Sequence, residues 1–110
     1  MKTLRFIVDD QIIRKDPNCD DFSSLIPGSS GYVTAEFTFS KEWYGFTKVA
    51  AFYSPLGFEY PARLLYDGAT CVIPFEALKK RSFKVQVIGQ KDDVKIKTNK
   101  VAVSQNGGKK

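Results

Sequence analysis

Residues 33–39 alternate strictly, with Val33, Ala35, Phe37 and Phe39 on one side and Thr34, Glu36 and Thr38 on the other. A period of two puts the two sets on opposite faces of a β-strand, so this run fits a sheet with one face in a core and one in water. The alternation ends at a short corner, residues 40–46 (SKEWYGF), which holds the one tryptophan, Trp43. A strand that runs into a large aromatic corner predicts a sandwich core with Trp43 and Phe46 closing one end. This is a signature of packing and carries no chemistry.

The same period recurs along the chain. Leu4, Phe6 and Val8 predict a strand over residues 2–8, Asp9 and Asp10 a turn, and residues 11–15 the returning arm of a hairpin. Residues 16–31 are rich in Pro, Asp and Ser and read as a loop, with Phe22, Leu25 and Ile26 tacking it to the core. Strands follow at 32–39 and 48–53, and Ser54, Pro55 and Gly57 mark a turn. Phe58, Tyr60, Ala62, Leu64 and Tyr66 then alternate, and Pro61 places that run at a sheet edge. Asp67 and Gly68 are a hairpin signal leading into residues 69–73. Pro74 and the residues after it predict one helical turn near 74–80 that crosses between sheets.

Phe83, Val85 and Val87 form the next alternating set, residues 89–93 a turn, and Val94, Ile96 and Thr98 another set, before a last strand at 101–103. Seven to eight short strands punctuated by turns predict an all-β, Ig-like antiparallel sandwich. With 110 residues and 43% hydrophobic content the chain has material for one core. The expectation is a single domain over residues 1–103 and a flexible basic tail over 104–110, which lacks an apolar anchor.

Composition excludes much chemistry. There is no histidine, which removes Ser-His and Cys-His nucleophile pairs and the commonest transition-metal ligand. Two cysteines, Cys19 and Cys71, are too few for a four-ligand zinc site or a disulfide scaffold, and free thiols are expected. Gly28 and Gly31 lack the lysine and helix of a phosphate loop. Asp9 and Asp10, Asp20 and Asp21, and Asp92 and Asp93 read as turn formers, because neighbours on a strand face opposite ways. The N-terminus meets acids too early for a secretory leader, and no apolar run is long enough to span a bilayer. The chain is therefore expected to be made in the cytosol, with no catalytic residues, no metal and no cofactor.

Charge is uneven along the chain. Residues 1–66 carry seven Lys/Arg and eight Asp/Glu, a net −1, whereas residues 67–110 carry ten against four, a net +6. Lys79, Lys80, Arg81, Lys84, Lys95, Lys97 and Lys100 are the candidate partner-binding residues. Lys95 and Lys97 share one strand face, and Lys84 lies near them across a ladder. Such a stripe is a solvated sheet face, a dock for an acidic protein, or a grip on nucleic-acid phosphates. Stacking aromatics would favour nucleic acid, but Phe75 and Phe83 occupy core positions in this reading. The tyrosines Tyr32, Tyr44, Tyr53, Tyr60 and Tyr66 suit either cross-strand packing or an interface. A carbohydrate-binding module would need exposed Trp or Tyr platforms.

The wording of several stretches resembles a family of small Ig-like β-domains from bacteriophages that infect Gram-positive bacteria. The similar stretches are residues 4–11 (LRFIVDDQ), 31–50 (GYVTAEFTFSKEWYGFTKVA), 71–78 (CVIPFEAL), 83–89 (FKVQVIG) and 96–99 (IKTN). The resemblance implies a non-enzymatic virion structural protein. In that family such a domain often stands at the N-terminus of a longer tail or head-fibre protein. Because this chain ends at residue 110 without a coiled coil or fibre repeat, the expectation is a small component: a capsid decoration protein, a head-fibre base or a tail adaptor. Its implied partners are the major capsid protein or other virion proteins, with a homo-oligomer compatible. A cytosolic nucleic-acid-binding β-domain using the basic half is the alternative.

Overall fold

In β1 (Lys2–Asp9) Leu4, Phe6 and Val8 are buried while Arg5 and Asp9 face water, as the period of two requires. A tight turn at Asp10, held at a left-handed φ of 56°, returns the chain as β2 (Ile12–Lys15). The computed structural model describes residues 1–105, which form two sheets enclosing one apolar core. The first sheet has the order β2-β1-β3-β6, where β3 is Val33–Phe39 and β6 is Thr70–Val72. In the second, β4 (Thr47–Tyr53) lies between β5 (Arg63–Leu64) and β7 (Ser82–Lys91). The far edge of β7 is shared, with β8 (Val94–Lys97) along one half and β9 (Val101–Ser104) along the other. The all-β sandwich is as expected, with nine strands among the described residues where seven to eight were expected, β9 being a strand separate from β8.

One pair departs from the antiparallel pattern. β1 and β3 run parallel, with Phe6 opposite Phe37 and their rings stacked at 5.2 Å. Parallel neighbours cannot be joined by a tight turn. Here β2 first brings the chain back along β1, and residues 16–32 then carry it past the start of β1 so that β3 begins opposite Lys2. There a 3-10 turn (Asp20–Ser24) sets Phe22 edge-on to Phe6 at 5.4 Å, and Leu25 is buried after it. Ile26, expected to help tack the loop down, is exposed instead.

The stretch from 58 to 66 is corrected in phase. Phe58, Leu64 and Tyr66 are exposed, and Leu65, off the alternating set, enters the core. Beyond a bridge from Glu59 to Tyr53, only Arg63 and Leu64 pair with β4. Pro61 has no N–H to donate, so the run cannot sustain a ladder that would fix its faces. Asp67 and Gly68 do turn the chain, both at positive φ (47° and 74°). However, β5 belongs to the second sheet and β6 to the first, so this turn carries the chain across the edge of the sandwich rather than closing a hairpin within a sheet. The helical turn α1 (Phe75–Leu78) makes the return crossing to β7, with Ala77 and Leu78 buried. Phe75, placed in the core by the sequence reading, is 41% exposed.

Ser104 pairs with Ser82 in β9 and Gln105 is buried. Both therefore belong to the fold rather than to the expected flexible tail, whose other residues, 106–110, lie outside the described residues.

Trp43 ends a 3-10 turn (Lys41–Trp43) and is fully buried. Its indole N–H donates to the Asp10 carbonyl at 2.8 Å, and its ring packs on Phe39 at 5.3 Å. Phe46, half-buried beside it, completes the closure that the corner predicted. Below the indole lies Gly89, which sits inside β7 and not in the expected turn; the turn comes later, at Asp92 (φ 51°). A Cβ on Gly89 would fall 2.8 Å from Trp43 Cζ3. Gly89→Ala should therefore cost about 1–3 kcal/mol, the usual range for overpacking a rigid core. A lowered urea midpoint checks this, and an unchanged midpoint would show that the indole yields freely.

Candidate functional site

The seven cations singled out in the sequence fall into two groups on the second sheet. On β7 the side chains of Phe83, Val85 and Val87 fill the core, so Lys84, Gln86, Ile88 and Gln90 share the outer face. Across the ladder Lys97 lies opposite Ile88 and Lys95 opposite Gln90, which places Lys95 and Lys97 on that face too. Lys84 shares the face but sits nearer the start of β7, between Tyr53 and Ala102. Lys100 leans over the Tyr53 ring, with Nζ 3.9 Å from its centroid. The other group, Lys79, Lys80 and Arg81, lies on the corner between α1 and β7. The structure thus gathers Lys84, Lys95, Lys97 and Lys100 on one face and sets Lys79, Lys80 and Arg81 at one end of the sheet.

Beneath the first group runs a polar network. The Tyr53 hydroxyl donates to Gln86 Oε1 at 2.7 Å, and Gln86 Nε2 donates to the Thr98 carbonyl at 2.7 Å. Burial, and secondly the Glu59 carboxylate, push the Tyr53 phenol above its ordinary value, so it stays a protonated donor. Thr98 also replaces a ladder bond, since its hydroxyl accepts from the Val87 N–H at 3.0 Å.

The second group borders a cleft of about 540 Å³. One wall is the 54–60 turn, from which Leu56 and Phe58 project 87% and 70% exposed. Ser54 locks this turn: its Oγ accepts from the N–H groups of Leu56 and Phe58, its N–H donates to the Phe58 carbonyl, and its own carbonyl accepts from Gly57. The opposite wall is the 76–82 corner, which carries Glu76, Lys79, Lys80 and Arg81. Gln105 pins it, with Nε2 donating to the carbonyls of Leu78 (3.0 Å) and Lys80 (2.6 Å) and its N–H to that of Arg81 (2.6 Å). Phe75, just outside the corner, has Lys79 Nζ 5.5 Å above its ring.

Leu56, Phe58, Ser54 and Gln105 were not candidates in the sequence. In the sequence Phe58 falls in an alternating run and Gln105 in the expected tail. An apolar leucine inside a Ser-Pro-Leu-Gly turn was the available signal, because turns spend such residues on water only at a cost. Among the tyrosines, Tyr53 is buried and Tyr60 half-buried, while Tyr32, Tyr44 and Tyr66 are exposed. Trp43, being buried, cannot serve as a carbohydrate platform.

A smaller cleft of about 440 Å³ lies at the seam of β5 and β6, with Leu64, Tyr66, Val72 and Cys71 in its lining. Burial pushes the Cys71 thiol up to about 12, against a weaker opposing pull from Arg63, so it is a protonated core group rather than a nucleophile. Cys19 and Cys71 are both free thiols. Of the acidic pairs, Asp10 and Asp92 occupy left-handed turn positions, and Asp21 accepts the Thr3 N–H. On the remote Trp43 corner, a hydrogen bond from Ser40 is the chief cause holding the Glu42 carboxyl below its ordinary value. Among the described residues no three His, Cys, Asp or Glu side chains converge on a metal position, and no helix is long and apolar enough to cross a membrane. In comparisons with known proteins, no family model, curated sequence or solved structure matches the chain.

Two outcomes follow from these contacts. Gln105→Ala removes both side-chain bonds to the corner, the Leu78 carbonyl keeping only the Gly28 N–H. The loss of two bonds should cost about 1–3 kcal/mol by urea denaturation. For Cys71, the unfolded chain loses the thiol proton near 9.0 while the folded chain keeps it to about 12, so its contribution is complete below pH 9 and lost as pH rises toward 12. Urea midpoints at about pH 8 and about pH 10.5 should therefore fall less in Cys71→Ala than in the wild type; equal falls would contradict this.

Proposed function

We propose that this chain is a non-enzymatic structural protein of a bacteriophage virion, a decoration or head-fibre-base protein that docks on the major capsid lattice. The observation that carries this reading is the pairing of exposed apolar side chains with cations at one end of the second sheet. Leu56 and Phe58 project there beside Lys79, Lys80 and Arg81. Exposed apolar groups rimmed by polar ones mark protein interaction surfaces. A cationic surround raises the encounter rate with an acidic lattice and fixes orientation. The family resemblance over most of residues 4–103 supplies the virion setting. The outer-face lysines Lys84, Lys95 and Lys97 extend the cationic surface, and a tail or baseplate adaptor would use it in the same way.

Cryo-EM of purified particles is the direct test. The expected result is sandwich density repeated over the capsid shell, with the cationic surface turned inward. Density confined to the tail would select the adaptor role, and particles lacking the chain would sink the virion reading. A second reading, a nucleic-acid-binding β-domain, gains from one observation: Phe75 is exposed beside Lys79 and available for stacking. It requires affinity for DNA or RNA that drops steeply from low to moderate salt, and absence of binding at low salt removes it.

A further inference from the structure

The cleft between the 54–60 turn and the 76–82 corner has the chemistry of a receptor for one kind of segment. Its volume of about 540 Å³ lies within the usual range of ligand pockets, roughly 300–1,000 Å³. Both walls are built before any partner arrives. Ser54 accepts two backbone N–H groups on one side, and Gln105 holds two carbonyls on the other. A backbone fixed in advance has no loop order to gain on binding, which is what preorganisation contributes to affinity. The two walls also differ in kind. One offers aliphatic and aromatic surface from Leu56, Phe58 and the half-buried Tyr60; the other offers Lys79, Lys80 and Arg81.

We propose that this cleft seats an acidic peptide segment that carries an aromatic or aliphatic anchor. The anchor lies against Leu56 and Phe58, and flanking carboxylates meet Lys79, Lys80 and Arg81. Charge complementarity chooses an acidic partner. The aliphatic Leu56 beside Phe58 suits an apolar peptide side chain, which can lie against both, whereas a nucleobase would have only the Phe58 ring to stack on. Glu76, on the cationic wall, opposes a continuous line of phosphates but leaves room for spaced carboxylates. The inference deepens the docking role above and rests on it for the source of the segment, an acidic loop or terminus of a virion protein.

The test uses the full chain and a short labelled peptide with a central Phe among Asp and Glu, followed by fluorescence anisotropy. The same peptide with Ser in place of Phe should bind about tenfold more weakly or worse, since one buried aromatic supplies at least that factor. Phe58→Ser and Leu56→Ser should weaken the Phe peptide by a similar factor while thermal unfolding stays unchanged, because both side chains stand in water. Lys79→Glu with Lys80→Glu should weaken it further and flatten its salt dependence.

Equal binding of the Phe and Ser peptides would overturn the proposal. So would an unaltered affinity in Phe58→Ser, or no binding at about millimolar peptide. Tighter binding of a single-stranded oligonucleotide or of phosphatidylglycerol vesicles, lost in Phe58→Ser, would assign the cleft to those partners instead. The two readings fail separately. Particles that carry the protein with Leu56 and Phe58 facing solvent overturn the cleft alone, whereas particles without the protein overturn the virion reading even if the peptide binds.

Discussion

The fit of the Trp43 indole over Gly89 fixes the relation of the two sheets. Trp43 follows β3 of the first sheet, Gly89 lies in β7 of the second, and the indole N–H reaches the Asp10 carbonyl at the β1–β2 turn. One side chain thus touches the first hairpin, the central strand of the other sheet and the aromatic row of Phe39 and Phe46. Only a residue without Cβ allows the ring so close to the β7 backbone. Because β4 and β7 run antiparallel in one register from Thr47 opposite Gln90 to Tyr53 opposite Lys84, fixing this end also sets the other. The cleft lies at that other end.

A second set of contacts fastens the sandwich along its side. Asn99, between β8 and β9, accepts the Ile13 N–H and donates to the Ile13 carbonyl, acting on β2 as a strand would. Its own N–H donates to Gln11, whose side chain returns a bond to the Lys97 carbonyl. The edge of the first sheet is therefore tied to the second by side-chain amides. An edge strand whose backbone groups are satisfied in this way is a poor template for unwanted pairing.

The candidate site depends on what the core does not need. Phe58 and Tyr66 are large and apolar, yet they face water outside the β4–β5 pairing, while Leu64 is turned outward by its pairing with Val49, which sends Leu65 to the core. Ser54 and Gln105 then give the adjoining backbone a single shape. The cationic surface owes its position to α1, which crosses between sheets and sets Lys79, Lys80 and Arg81 directly before β7, while Lys95 and Lys97 follow from the β7–β8 register.

Alternation in the sequence determined the strands whose faces differ sharply in polarity. β1 and β3 were legible because burying Phe6 and Phe37 leaves Arg5 and Thr38 in water, and β7 because Phe83, Val85 and Val87 alternate with polar Lys84 and Gln86. By contrast, β4 buries Ala51 and Tyr53 along with Ala50 and Phe52. The Trp43 closure was legible, since so large a ring at the end of a strand has one favourable place to go. The parallel pairing of β1 with β3 was not, because after the β1–β2 hairpin a loop of the length of residues 16–32 can lead the next strand to either side of the pair. Nor could the pattern at residues 58–66 reveal its phase, since Leu64 and Leu65 are equally apolar and only pairing with β4 decides which is buried. The positions of Lys79, Lys80 and Arg81 beside Leu56 and Phe58 were likewise decided in space. Residues more than twenty apart in the chain meet there through a crossing that local preferences do not encode. Sequence by itself determined a two-layer core and the sign of its charged half; the tertiary structure alone joined that charge to an apolar wall.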